Sequence, residues 1–300
     1  WTPKWADPDD LASFEAAITP RTKAIFIESI ANPGGVICDI AAISKIAKRA
    51  KIPLIVDNTL ASPYLVKPFE HGADIVVHSA TKFLGGHGNS IGGLIVDGGT
   101  FDWLADKRYP MLSEPRPEYG GMVLGETFGN FAFAIATRVL SLRDLGPALS
   151  PFNAFMILTG IETLPLRMQR HCDNALKVAE HLSRHPAVAW VSYPGLPGDR
   201  YHNLAKQYCP KGAGAVFTFG LKGGYDAGIA LVKNLALFSH LANVGDTRSL
   251  VIHPASTTHR QLSDEQKVIA GAGPDVVRLS IGIEDVADII GDLDQALASA

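Results

Sequence analysis

Three short apolar runs in the first third of the chain constrain its fold most strongly. They read "KAIFIES", "IPLIVDN" and "ADIVVHS", at residues 23–29, 52–58 and 73–79. Each run is continuously apolar, which is typical of strands covered on both faces. Between the first two, "CDIAAISKIAKRAK" has isoleucines at helical spacing and a plausible N-cap in Asp39. Strand, helix and strand in this order predict a βαβ unit and a mainly parallel sheet, hence an α/β protein with helices on both sheet faces.

The rest of the chain predicts further sheet and then a smaller α+β region. "IGGLIVDGG" is expected to join the first sheet, and residues 125–185 have helical periodicity with a break near Pro165. "AGAVFTFGL" and "VVRLSIGIE" are interpreted as strands. "GYDAGIALVKNLALFSHL", "SDEQKVIAGAG" and "DVADIIGDLDQALASA" are interpreted as helices, the second opened by a capping box from Ser263 to Gln266. We therefore predict a large domain at 1–162 and a small C-terminal domain at 163–300.

Composition excludes several classes of function. The 300 residues carry a formal net charge of -3, which provides no basic field for nucleic acid. No apolar run approaches the roughly 18 residues that a membrane span requires. The three cysteines show no paired spacing, as expected of free thiols in a reducing compartment. The sequence therefore predicts a cytoplasmic protein that binds neither nucleic acid nor a membrane.

Polar side chains follow each of the three strands. Asn32 comes after the first, Asp57 ends the second, and Ser79, Thr81 and Lys82 follow the third. Because ligands of open parallel sheets bind beyond the carboxyl ends of the strands, these groups are expected to share one rim. An amide, a carboxylate, two hydroxyls and an amine then converge there.

Pyridoxal 5'-phosphate (PLP) requires such a set of groups. Lys82 can form a Schiff base with its aldehyde, and Asp57 can keep its ring nitrogen protonated. The hydroxyls of Ser79 and Thr81 can donate to its phosphate, and Asn32 to its ring oxygen. Taken singly, each residue has a plain structural interpretation, such as a turn residue or a solvated lysine. Taken jointly, at consecutive strand ends, they predict a PLP site.

Several segments also resemble the Cys/Met-metabolism PLP-dependent enzymes of the aspartate-aminotransferase fold (PLP fold type I). These are "ESIANP", "VDNT", "HSATKFLGGHG", "LANVGDTRSLVIHPASTTH" and "VRLSIGIED". The resemblance extends from about Lys23 to the C-terminus. Within the family, "GDTRSLVIHPASTTH" and "LSEPRPEYGG" are similar to the O-acetylhomoserine sulfhydrylase (homocysteine synthase) branch. Sister branches usually carry a Ser and a Glu where this chain has Asn243 and Arg248.

The resemblance implies roles for two residues that strand ends alone do not predict. Arg278, in "VRLSIG", would bind the substrate carboxylate, since a guanidinium binds it bidentately. The alternative for Arg278 is an ion pair at a sheet edge. Asn243 would be a second carboxylate contact, whereas for Arg248 a loop salt bridge is at least as good an interpretation. The remaining family roles fall on the strand-end residues in the manner already described, with Lys82 as the catalytic residue. His71, His78 and His87 show no spacing typical of metal ligands, so no metal site is predicted.

The activity implied by the resemblance is γ-replacement on O-acetylhomoserine with sulfide or a thiol, giving homocysteine (or methionine) and acetate. Lys82 would take the α-proton, acetate would leave the γ-carbon, and the sulfur nucleophile would add there. The alternatives are a sister activity (cystathionine γ-synthase or methionine γ-lyase) and a non-catalytic fragment of such an enzyme.

Family members are longer, and the stretch expected to precede this chain usually supplies a ring that stacks on the cofactor and residues that reach a neighbouring subunit. The resemblance implies a homo-oligomer, a dimer or tetramer. We expect weak cofactor retention from a chain without that stretch.

Overall fold

The computed structural model describes residues 1–299. Its strands are β1 (Ile25–Glu28), β2 (Leu54–Asp57), β3 (Ile75–Ser79), β4 (Gly93–Asp97), β5 (Val188–Ser192), β6 (Val216–Leu221), β7 (Ser239–His240), β8 (Leu250–Ile252) and β9 (Val276–Ser280). Its α-helices are α1 (Leu11–Ala17), α2 (Ile40–Ala50), α3 (Ser62–Leu65), α4 (Pro110–Ser113), α5 (Leu124–Phe128), α6 (Ala132–Ala136), α7 (Pro151–Glu162), α8 (Leu164–Leu182), α9 (His202–Tyr208), α10 (Gly224–Asn234), α11 (Asp264–Ile269) and α12 (Val286–Leu297).

The first sheet has the strand order β1-β2-β3-β4, and β1, β2 and β3 are parallel as predicted. Glu28 pairs with Asp57, and Asp57 with Val77, so the three strands end at one edge of the sheet. The connecting helix α2 is N-capped by Asp39, whose side chain accepts a hydrogen bond from the Ala42 amide. This confirms the βαβ unit and places the polar strand-end residues at a common rim.

Strand β4 differs from its three neighbours in direction and in burial. It joins the sheet as expected, but it runs antiparallel to β3. Its apolar residues Leu94, Ile95 and Val96 are exposed by 42%, 58% and 41%. A continuous apolar run therefore does not by itself establish that a strand is covered on both faces.

The second sheet has the order β5-β6-β9-β8-β7 and is antiparallel except for the β7–β8 pair. Strand β9 lies between β6 and β8, with Arg278 opposite Thr218 and Ile252. All five residues of β9 are buried. This central position contradicts the alternative interpretation of Arg278 as an ion pair at a sheet edge.

Two helices link the sheets. Thr163 separates α7 from α8, and Pro165 lies in the first turn of α8, where its missing N–H costs nothing. The predicted break thus lies two residues before Pro165. Buried apolar residues of both sheets form one continuous cluster. The domain boundary between residues 162 and 163 stays a prediction.

Two helical segments are shorter or less regular than predicted. The helix expected over residues 224–241 ends at Asn234, because the carboxylate of Asp292 accepts the backbone amides of Ala236 and Leu237. The helical stretch after residue 130 contains α6 followed by a π-helix at Thr137–Leu145.

The predicted capping box of α11, between Ser263 and Gln266, is confirmed in both of its hydrogen bonds.

Within residues 1–299, no helix combines the length and the apolar character needed to cross a bilayer. Cys38, Cys172 and Cys209 are free thiols, and all three are buried.

Candidate active site

The rim of the first sheet is built by hydrogen bonds between neighbouring strand ends. Thr59, two residues beyond β2, donates its amide to Oδ1 of Asp57 at 2.9 Å. Its hydroxyl accepts the amide of Ser79, the last residue of β3, at 2.8 Å. Thr59 therefore fixes the carboxylate that ends one strand relative to the start of the lysine loop, which we define as residues 79–88. Within residues 1–299, the second oxygen of Asp57 accepts no hydrogen bond.

Lys82 is partly buried, and its amine is hydrogen-bonded to a residue in a loop of the second sheet. Nζ donates to Oδ1 of Asn243 at 2.5 Å. Its pKa is lowered, first because burial disfavours the ammonium form and second because of the positive charge of Arg278. A lysine that must act as a nucleophile or base needs this shift toward the neutral amine. Its partial burial and its hydrogen bond to Asn243 favour this role over that of a solvated surface lysine.

Arg278, on the second sheet, also contacts Asn243. Its guanidinium donates to the backbone carbonyl of Asn243 and to Oδ1 of Asn32, both at 3.1 Å. Its Nε is buried without a partner, and burial lowers its pKa to about 10. A buried guanidinium with an unpaired donor, and no carboxylate bound within residues 1–299, is suited to receive an anion.

The hydroxyls of Ser79 and Thr81, which are predicted to donate to the cofactor phosphate, differ in their present hydrogen bonds. The hydroxyl of Thr81 is engaged with Gly92, accepting its amide at 3.1 Å and donating to its carbonyl at 3.3 Å. Within the described residues the hydroxyl of Ser79 makes no hydrogen bond. Ser79 is therefore free to donate to a phosphate, whereas Thr81 must give up a long hydrogen bond to do so.

Asn32 lies on the opposite side of the rim from the lysine. Asn32 is exposed, and its backbone amide donates to Oε2 of Glu28 at 3.0 Å. Its side-chain Oδ1 accepts a hydrogen bond from Arg278. Burial raises the pKa of Glu28, and the nearby charge of Asp57 raises it further. The sequence did not single out Glu28, although its register opposite Asp57 follows from the parallel pairing.

The loop that carries Asn243 is tied to the lysine loop. The amide of Thr247 donates to the carbonyl of Gly86 at 2.8 Å. Arg248 pairs with the buried Asp246, with Nη2 at 3.1 Å from Oδ2, while its own side chain is 63% exposed. The salt-bridge interpretation of Arg248 therefore agrees with the structure.

The three histidines that the sequence offered as metal-ligand candidates are separate from one another in their contacts. His71 packs edge-on against Tyr208, and Nδ1 of His87 lies 2.7 Å from the carbonyl of Gly85. His78 is buried with Nδ1 unpartnered, and burial lowers its pKa. In the described part of the chain, no three His, Cys, Asp or Glu side chains are grouped so as to hold a metal ion.

Sequence reasoning missed Arg167 of α8. It is 5% exposed and donates to the carbonyls of Phe83 and Leu84, directly after Lys82. A signal was present, because helical spacing puts Arg167 on the same buried face as Leu164 and His171.

These side chains fit PLP in number, chemistry and position. A partly buried amine of lowered pKa, a carboxylate with a free oxygen and an unpaired hydroxyl follow adjacent strands. A buried guanidinium faces them from β9. Lys82, Asp57, Ser79, Thr81 and Asn32 are the residues predicted to hold the cofactor, and Arg278 and Asn243 to bind the substrate; these assignments stay predictions.

Comparison with known proteins gives close matches over nearly the whole chain. The sequence is 51% identical to the O-acetyl-L-homoserine sulfhydrylase of Leptospira meyeri, over 98% of this chain and 68% of that protein. It is 53% identical to the homocysteine synthase of Schizosaccharomyces pombe, with the same coverage of each.

A solved structure from Campylobacter jejuni, described as an O-acetylhomoserine (thiol)-lyase, superposes with a TM-score of 0.93 at 43% identity. The match covers 98% of this chain and 70% of that one. That structure contains N'-pyridoxyl-lysine-5'-monophosphate. The fold is therefore PLP fold type I, as predicted.

The family model described as Cys/Met metabolism PLP-dependent enzyme matches residues 1–298. The chain therefore belongs to this family of PLP-dependent enzymes.

Proposed function

We propose that this chain catalyses γ-replacement on O-acetylhomoserine with sulfide or a thiol. The observation that supports this proposal most directly is that one residue, Asn243, contacts both the amine of Lys82 and the guanidinium of Arg278. An amino acid whose carboxylate is bound by Arg278 would thus present its α-carbon close to Lys82. Relatives about half identical to this chain, named O-acetyl-L-homoserine sulfhydrylase and homocysteine synthase, support the same substrate.

Each proposed role follows from the chemistry of the side chain. Arg278 binds the substrate carboxylate through two parallel N–H donors. The carboxylate of Asp57 keeps a proton on the cofactor's ring nitrogen, and Ser79 and Thr81 donate to its phosphate. Asn32, whose Oδ1 accepts a hydrogen bond from Arg278, orients that guanidinium and donates to the ring oxygen through its side-chain amide.

Lys82 acts as the general base once its amine is free. Its lowered pKa leaves a larger neutral fraction able to take the α-proton of the substrate. Bound PLP supplies an electron sink for the charge left on the α-carbon. In the overall exchange the γ-carbon–oxygen bond breaks, acetate leaves, and a carbon–sulfur bond forms in its place. Asn243 holds the amine toward the substrate carbon through its side-chain oxygen.

The assay that tests this function uses two parallel substrates. Sulfide with O-acetylhomoserine should give homocysteine and acetate, whereas cysteine in place of sulfide would give cystathionine if the chain were a cystathionine γ-synthase. Release of an α-keto acid and ammonia without added thiol would instead indicate a γ-lyase. If borohydride reduction fails to attach PLP to the Lys82 peptide, the chain is a non-catalytic fragment and the proposal is wrong.

We further propose a homo-oligomer, a dimer or tetramer, in the cytoplasm. Support comes from α7, which exposes Phe152, Phe155 and Leu158 by 68%, 65% and 62%. Large apolar side chains presented together on one helix are typical of an interface with another chain.

We also propose that residues 163–300 form the small domain. In this division, β9 and Arg278 belong to a different domain from the strands that form the rim.

A further inference from the structure

Arg167 is a buried arginine that binds only uncharged oxygens. Nη1 donates to the carbonyl of Phe83 at 2.8 Å, and Nη2 donates to the carbonyls of Leu84 at 3.2 Å and Gly160 at 2.7 Å. Nε donates to the hydroxyl of Thr163 at 3.1 Å. In the part of the chain that the structure describes, none of its partners is a carboxylate.

Such an arrangement is costly, because burial disfavours the charged guanidinium and no opposite charge offsets this. Burial indeed lowers the pKa of Arg167. A methionine or leucine could fill this part of a helix face without that cost. What a guanidinium adds is a planar set of donors that can hold several carbonyls in one geometry.

The carbonyls that Arg167 holds belong to the two segments that carry and support Lys82. Phe83 and Leu84 follow the lysine directly, and Gly160 lies in the last turn of α7. The segments touch closely, since a Cβ on Gly160 would lie 2.2 Å from the carbonyl oxygen of Gly85. A Cβ on Gly86 would lie 2.3 Å from Nη1 of Arg167. The guanidinium therefore packs directly against the backbone of the lysine loop at Gly86.

The same face of α8 binds the other side of the site. Nδ1 of His171 lies 2.6 Å from the carbonyl of Ile281, and Asn174 donates to the carbonyls of Gly282 and Glu284 at 3.1 and 2.9 Å. Ile281 directly follows β9, the strand of Arg278. Arg167, His171 and Asn174, which we call the carbonyl-binding face of α8, thus connect the lysine loop with the segment after β9.

We propose that Arg167 is a positioning residue, which sets the location of the Lys82 amine relative to the guanidinium of Arg278. This inference rests on the proposed function, in which both groups act on one substrate. Arg167 does so by holding the two carbonyls after Lys82 against α7 and α8, so that the loop cannot shift along the sheet rim. It contacts neither substrate nor cofactor in this role.

The test compares Arg167→Met and Arg167→Lys with Arg170→Met, a matched control on the exposed side of the same helix. In the holoenzyme, Arg167→Met should shift the midpoint of the pH titration of the Lys82-bound cofactor absorbance. It should lower kcat at least about tenfold with KM changed far less, because small misplacements of a reacting group reduce rate strongly. Arg167→Lys should recover part of kcat, and Arg170→Met should match the wild-type protein.

A second variant covers the case in which Arg167→Met does not fold. Thr163→Val removes the hydroxyl that accepts from Nε and donates to the carbonyl of Gly160, and it should give the same shifts in smaller measure. Hydrogen exchange of the peptide spanning residues 79–90 should be faster in Arg167→Met and in Thr163→Val than in Arg170→Met.

A lower melting temperature with unchanged absorbance titration and unchanged kcat per loaded site, in Arg167→Met or in Thr163→Val, would show a purely structural role and overturn the inference. The absorbance and exchange measurements require no substrate. Failure of the proposed reaction in the wild-type protein therefore leaves this test intact.

Discussion

The amine of Lys82 and the side-chain oxygen of Asn243 lie 2.5 Å apart, although 161 positions separate the two residues in the chain. This hydrogen bond joins the first sheet to a loop of the second, and the backbone carbonyl of Asn243 extends the connection to Arg278. The base and the carboxylate-binding group of the proposed reaction therefore share one intermediary residue.

Replacing that intermediary should affect the two groups unequally. In Asn243→Ala the amine of Lys82 loses its acceptor, but the backbone carbonyl that Arg278 binds remains. We expect kcat to fall about tenfold, while KM for the amino-acid substrate changes little. Steady-state kinetics would reveal the split. Asn203→Ala, an exposed asparagine on α9, is the matched control. A rise in KM with kcat unchanged would mean that the side chain of Asn243 serves carboxylate binding instead.

Loss of Lys82 should abolish both covalent attachment and turnover. Lys82→Ala removes the only group proposed to bond the cofactor aldehyde and to take the α-proton, a proton transfer worth about 10²–10⁴-fold in rate. Mass spectrometry after borohydride reduction should find pyridoxyl label in the wild-type protein and in the exposed-lysine control Lys206→Ala, and none in Lys82→Ala. Label on a different lysine would contradict the assignment.

His171 should make stability depend on pH on the acid side of neutrality. Burial lowers its pKa from 6.5 to about 4. As the pH falls, the imidazole is protonated in the unfolded state before it is protonated in the folded state. The contribution of His171 to the free energy of unfolding should therefore be complete above pH 6.5 and decrease as the pH falls toward 4. The loss amounts to about 3 kcal/mol, from 1.36 kcal/mol per pKa unit.

The asparagine variant His171→Asn keeps a donor for the carbonyl of Ile281 but cannot titrate. Denaturant unfolding at several pH values should therefore show a shallower acid slope in this variant than in the wild-type protein. His240→Asn, at an exposed position, should retain the wild-type slope. Equal slopes in all three proteins would show that another group governs the acid transition.

The exposed apolar side of α7 should mediate assembly. Phe155→Glu places a charge among Phe152, Leu158 and their surroundings, and burying an unpaired carboxylate in an interface is strongly unfavourable. Light scattering after size-exclusion chromatography should give a lower molecular mass than for the wild-type protein. Ile269→Glu, which alters an apolar side chain 87% exposed on α11, should leave the mass unchanged. A monomeric wild-type protein would exclude this interface.

The sequence alone predicted the parallel strands and the residues at their ends. Local patterns suffice there, because a continuous apolar run and its following polar residues lie within a few positions of one another. The same locality explains why the N-cap of α2 at Asp39 and the capping box of α11 were predicted correctly. The likeness of the segment around Lys82 to a known family also depends on one contiguous stretch.

Only the tertiary structure decided which distant groups meet. The contacts of Asn243 with Lys82, of Asn32 with Arg278 and of Arg167 with the lysine loop each join positions at least 80 residues apart. The early end of α10 likewise depends on Asp292, which belongs to another helix. The exposure of β4 depends on which elements pack beside that strand. Propensity and periodicity describe the chain one segment at a time, whereas these features arise from packing between segments.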